Sequence, residues 1–147
     1  MRKRVLQDLQ LPGKDLLRFS RIGLAALLVA CSSAAGPGLG DQFTLRVGES
    51  ASIAELGVWM RFIQVVEDSR CPATVTCIWS GDGAVLIEVA PLNGDSKESV
   101  LHTNGEPSTM ALGRAELRLV KLDPYPATPG SIATGDYVLT LTTRLVQ

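Results

Sequence analysis

Val58-Trp-Met-Arg-Phe-Ile-Gln-Val-Val66 and Ala84-Val-Leu-Ile-Glu-Val-Ala90 decide the fold. Each is dense in β-branched residues, which lose side-chain freedom against the preceding turn of a helix and fit a pleated strand. Apolar residues fall on both alternating sets of positions, so the two segments read as central strands covered on both sides. Working outward, Phe43, Leu45 and Val47 alternate with Thr44 and Arg46. Tyr137, Leu139, Leu141, Thr143 and Leu145 share one face, opposite Thr140, Thr142 and Arg144. These are half-buried strands. Ala115, Leu117 and Leu119 alternate with Glu116 and Arg118, after which Val120 and Leu122 shift the phase by one, predicting a bulge or the strand's end.

Ser50 to Ile53 and Glu98 to His102 are shorter strand candidates, and only a single turn near Ala54 to Leu56 reads as helical. About seven strands separated by Gly, Pro, Asn and Asp clusters predict an all-β domain, a single antiparallel β-sandwich or small barrel, over residues 41–147. No self-similar period marks a repeat protein.

The 147 residues carry a formal net charge of −1, and that near-balance hides a split at Cys31. Residues 1–30 hold six basic and two acidic side chains, net +4; the remaining 117 hold eight basic and thirteen acidic, net −5. With no excess of Lys and Arg in the body, a nucleic-acid partner is disfavoured. Arg18 and Arg21 precede Ile22-Gly-Leu-Ala-Ala-Leu-Leu-Val-Ala30, nine residues without charge. That run is shorter than the ~20 residues a membrane-spanning helix needs, and suits a signal-peptide core.

Leu28-Val-Ala-Cys31 resembles the lipobox of bacterial lipoproteins: an apolar position, small residues before the cut, then cysteine. The resemblance implies that residues 1–30 are removed, that Cys31 receives a diacylglycerol thioether and that its new amino group is acylated. Two such hydrophobic signals anchor a protein stably to a membrane. In Gram-negative members of the class an aspartate after the cysteine favours inner-membrane retention. Ser32 stands there instead, which favours the periplasmic face of the outer membrane. Ser32 to Gly40 is small, uncharged and turn-rich, so residues 31–40 read as a lipidated cysteine and flexible tether.

Between the two central strands lies Glu67-Asp-Ser-Arg-Cys71-Pro-Ala-Thr-Val-Thr-Cys77-Ile-Trp-Ser-Gly-Asp-Gly83. With Cys31 assigned to lipid, Cys71 and Cys77 remain as an even pair in an oxidising compartment, and a structural disulfide between them is expected. A redox pair is disfavoured because the spacing is not Cys-x-x-Cys. Zinc is disfavoured because only His102 is at hand as a third ligand. Asp68 and Arg70 are near enough to pair across the loop base, Trp79 can cover the disulfide, and Gly81 and Gly83 can supply positive φ. These readings are structural; the functional reading makes the same exposed, rigid loop a recognition surface, with Asp68, Arg70, Trp79 and Asp82 as candidate binding residues.

The stretch Asp68-Ser-Arg-Cys-Pro72 followed by Cys77-Ile-Trp-Ser-Gly81 resembles a motif of small secreted and lipid-anchored bacterial β proteins of unknown function. The likeness extends loosely to Leu122-Asp-Pro-Tyr-Pro126 and Asp136-Tyr-Val-Leu-Thr-Leu141. It implies a secreted, disulfide-containing domain and no particular activity.

A search for chemistry gives little. His102, the only histidine, reads as a surface residue beside a turn, and no Gly-x-Ser-x-Gly elbow or phosphate loop is present. Asp82 lies between glycines, yet no ladder of oxygen ligands accompanies it for calcium. No catalytic residue, metal or cofactor is therefore assigned. The reading is a non-enzymatic, lipid-anchored envelope protein that binds another envelope component. The alternative is an inhibitor that presents the Cys71–Cys77 loop to an envelope enzyme with Arg70 or Trp79 as anchor; an enzyme built on Asp68, Arg70 and Asp82 is the weakest reading.

Overall fold

The computed structural model describes residues 36–146; the expected leader and Cys31 lie outside the described residues. Eight strands are present among them: β1 (Gln42–Arg46), β2 (Ser50–Ile53), β3 (Val58–Asp68), β4 (Gly83–Pro91), β5 (Lys97–His102), β6 (Thr109–Leu112), β7 (Ala115–Asp123) and β8 (Val138–Leu145). Single 3₁₀ turns occupy Ala54–Leu56, as expected, and Thr134–Asp136. All pairings are antiparallel and form two four-stranded sheets, ordered β1-β8-β7-β6 and β2-β3-β4-β5. The fold is all-β and sandwich-like, with no closed barrel.

One core joins the sheets. Leu45, Leu117, Leu119, Leu122, Leu139 and Leu141 come from the first, and Ile53, Met60, Phe62, Val85, Ile87, Val89 and Leu101 from the second. Their alternation along each strand is the pattern two apposed inner faces require. Tyr137, just before β8, and Leu139, Leu141 and Thr143 within it are buried, whereas Leu145 emerges at the end.

The segments β3 and β4 are the inner strands of their sheet, but they are not covered on both sides. Arg61, Gln64 and Glu67 of β3 are exposed, and Leu86 and Glu88 of β4 are half-buried. The apparent two-faced pattern of β3 arises from two bulges. The register with β4 skips Ile63 and then Val66, so eleven residues oppose nine. Each bulge resets which parity faces the core: Met60 and Phe62 point in, then Val65, then Asp68. The phase shift read at Val120 is likewise a bulge, between Leu119 and Lys121.

The strand not anticipated is β6. It has only four residues and owes its place to a hairpin with β7, in which Leu112 pairs with Ala115 across Gly113-Arg114 and Gly113 adopts a φ of 65°.

Candidate functional site

The chain between the ends of β3 and β4 builds one pole of the sandwich. Ser69 N donates to Asp82 O at 2.7 Å and Cys71 N to Ser80 O at 2.9 Å, which extends the hairpin past the sheet. Gly81 makes the return possible: its φ is 67° and the Ser69 carbonyl occupies the place of any side chain. Gly83 does not share this role. It has no positive φ, and what requires glycine there is close approach, since a Cβ would meet Leu122 at 3.0 Å and Thr103 at 3.3 Å.

Beyond this base, Cys71 and Cys77 lie at disulfide distance, with their Cα atoms 5.9 Å apart. The clipped loop leans on the Pro-rich connection between β7 and β8. Ala73 N donates to Pro126 O at 2.9 Å, and the Thr74 hydroxyl to Ala127 O at 2.7 Å. With its backbone tied in this way, the loop leaves large apolar side chains in water. Ile78 is 92% exposed and Trp79 82%, with Val75 also exposed. No charged residue occurs from Cys71 to Gly81.

Two expectations for this loop are corrected. Trp79 does not cover the disulfide, because a ring lying on it could not keep four-fifths of its surface. Nor is Arg70 a solvent-facing anchor: it is 7% exposed. Asp68 and Arg70 do pair, Nε to Oδ1 at 2.7 Å and Nη2 to Oδ2 at 2.6 Å. The guanidinium then reaches the other sheet, donating from Nη1 to the Leu122 carbonyl and from Nη2 to Pro124 O at 2.9 Å. It also lies 5.2 Å from the centre of the Tyr125 ring. Tyr137 completes the cluster by donating its hydroxyl to Asp68 Oδ2 at 3.0 Å.

Burial pushes the Asp68 carboxyl up, but the hydrogen bonds from Arg70 and Tyr137 outweigh it and hold Asp68 below its ordinary value of 3.8. The same ion pair raises Arg70, and burial together with the Asp68 bond raises Tyr137. The cluster is a clamp between the two sheets. Both Asp68 oxygens are occupied, and neither is placed as a general base.

Asp82 belongs to a second polar cluster. Its Oδ1 accepts from the Thr103 hydroxyl at 3.0 Å and Asn104 N at 2.9 Å, and Oδ2 meets His102 Nδ1. Burial raises the Asp82 carboxyl, while the bonds from His102, Asn104 and Thr103 lower it to a net position below 3.8. Thr103 Oγ1 also accepts from Gly83 N at 2.7 Å, and Asn104 Nδ2 reaches Ser80 and Gly81. His102 is therefore not merely a surface residue beside a turn; it helps to pin the hairpin base to the end of β5.

Of the four candidate residues, only Trp79 sits on the solvent-facing tip. Sequence reasoning missed its neighbours Ile78 and Val75. The available signal was an uncharged, turn-rich run whose Ile-Trp pair lies outside any strand, where neighbouring large side chains have no inner face to occupy. A cleft of about 210 Å³ opens behind the loop between Pro72 and Pro126, floored by Asp68, Arg70 and Tyr137. Its polar floor is already paired with itself.

No protein-family model, curated protein or solved structure matches this chain.

Proposed function

We propose that this protein is a lipid-anchored component of the bacterial envelope that binds another envelope protein, without catalysis, through the tip of its disulfide loop. The observation that carries this reading is the side-by-side exposure of Ile78 and Trp79 on a braced loop. A loop whose backbone is already tied loses little further backbone freedom when its tip enters a partner's recess, and tryptophan is among the residue types enriched at the energetic centres of interfaces. Anchoring through Cys31 is supported by the ordered succession of basic residues, apolar run, small residue and cysteine.

A pull-down from detergent-solubilised envelope, with the native protein and with Trp79→Ala, tests the binding reading. Trp79→Ala is expected to keep its Tm and lose the partner. Retention of every partner would refute the loop as the binding surface. Recovery of a single hydrolase, inhibited by the native protein, would turn the reading toward an inhibitor, which the exposed Ile78 and Trp79 also suit. For the anchor, Cys31→Ala is expected to release the protein from the membrane fraction; continued membrane association after leader cleavage would refute lipidation.

A further inference from the structure

We infer that the apolar tip faces away from the anchoring bilayer, so that its occupant is the apolar recess of a separate protein reached across the aqueous space and not the protein's own membrane. This rests on lipid attachment at Cys31.

The geometry is set by which ends of the strands meet. The tip grows from the end of the sheet where Asp68 pairs with Gly83. The described chain begins at the other end: the Gly36 backbone lies against the Ser52 carbonyl, and Ser52 pairs with Trp59, one residue from the start of β3. Gly38 N bonds the Asp41 carboxylate at 3.1 Å, which holds this entry segment just before β1. Between the two poles run the nine residues of β4, from Gly83 to Pro91, roughly 27 Å at the rise of an antiparallel strand. Cys31 precedes Gly36 by five residues, a reach of at most roughly 18 Å when fully extended. An upright domain therefore holds Ile78 and Trp79 beyond the reach of the tether.

For the tip to touch the same bilayer, the sandwich would have to lie on its side. The body's net charge of −5 opposes that against anionic headgroups. Two copies in one membrane could meet head-on at their tips only by lying flat as well. The occupant that needs no such collapse is a protein approaching from the far side. Its recess must be apolar and uncharged, because residues 71–81 offer no charge to pair.

Trp59 and Trp79, the protein's two tryptophans, stand near opposite poles and serve as an internal ruler. Lipidated full-length protein would be reconstituted in vesicles containing dansyl-phosphatidylethanolamine, as Trp79→Phe, which leaves Trp59, and as Trp59→Phe, which leaves Trp79. Energy transfer to the lipid is expected to be several-fold greater from Trp59. Equal or greater transfer from Trp79 in vesicles that carry the protein on flotation overturns the orientation alone, while failure to float overturns the anchor and the inference with it.

In cells, a photo-crosslinking residue at Ile78 is expected to give an adduct with a different protein that disappears with Trp79→Ala and is absent when the crosslinker is placed at Leu92, on the anchor pole. An adduct of two copies of this chain, a lipid adduct or no adduct overturns the assignment of the occupant.

Discussion

Arg70 commits four side-chain hydrogen bonds, two to Asp68 and two to the carbonyls of Leu122, in the opposite sheet, and Pro124, just past its end. A residue so placed cannot also be a recognition contact, and replacing it leaves the Asp68 carboxylate without its counter-charge. Arg70→Ala is expected to cost about 3 kcal/mol or more, the scale for breaking a buried pair, measured by urea denaturation. Trp79→Ala should lie within about 0.5 kcal/mol of the native protein, as exposed positions do. Thr143 makes the opposite case. Its side chain is fully buried, and its hydroxyl finds no partner among the described residues. Thr143→Val removes that unpaired group with little change of shape, so a gain of about 1 kcal/mol and a rise of several degrees in Tm are expected.

At the scale of elements, the loop between β3 and β4 is fixed at three levels: a two-bond hairpin base, the Cys71–Cys77 clip and the two hydrogen bonds to the Pro-rich connection. Only five residues lie between the cysteines, and closing so small a ring removes limited entropy from the unfolded chain. Loss of the disulfide in the Cys71→Ser, Cys77→Ser double variant is expected to cost about 2 kcal/mol. It should leave the sandwich folded while raising amide exchange in residues 71–80.

The β3 bulges show why part of this was legible and part was not. Bulge-induced phase changes are visible in sequence: the shift at Val120 predicts a bulge or the strand's end, and a bulge is what stands there. The pair at Ile63 and Val66 instead mimicked a strand covered on both faces, because two successive shifts fill both parities with apolar residues. The hairpin strand β6 was illegible because four residues carry too little alternation to be recognised without their partner.

At the scale of the whole molecule, one pole is held by two carboxylates whose pKa values are lowered, Asp68 in the clamp between the sheets and Asp82 at the end of β5 within one sheet. A group with a depressed native pKa contributes stability that is present above its unfolded value and lost as pH falls through the folded one. Asp68 and Asp82 both behave so, which places the loss below about pH 4. Tm is expected to be insensitive to these groups from pH 7 to 5 and to decline below pH 4. Asp68→Asn should flatten that decline even though it lowers Tm at neutral pH. An acid limb unchanged by Asp68→Asn would show that the clamp does not govern it.

By itself, the sequence determined the all-β class, most of the strands, the cysteine pair and the Asp68–Arg70 contact, because alternation, β-branching and short spacing are local properties of a chain. It took the folded arrangement to turn Arg70 inward to the carbonyls of Leu122 and Pro124, more than fifty residues away. It alone joined His102 to Asp82 and left Ile78 beside Trp79 in water. Burial and long-range hydrogen bonding depend on which strand ends meet, and no spacing along the chain encodes that until the two sheets have closed over a common core.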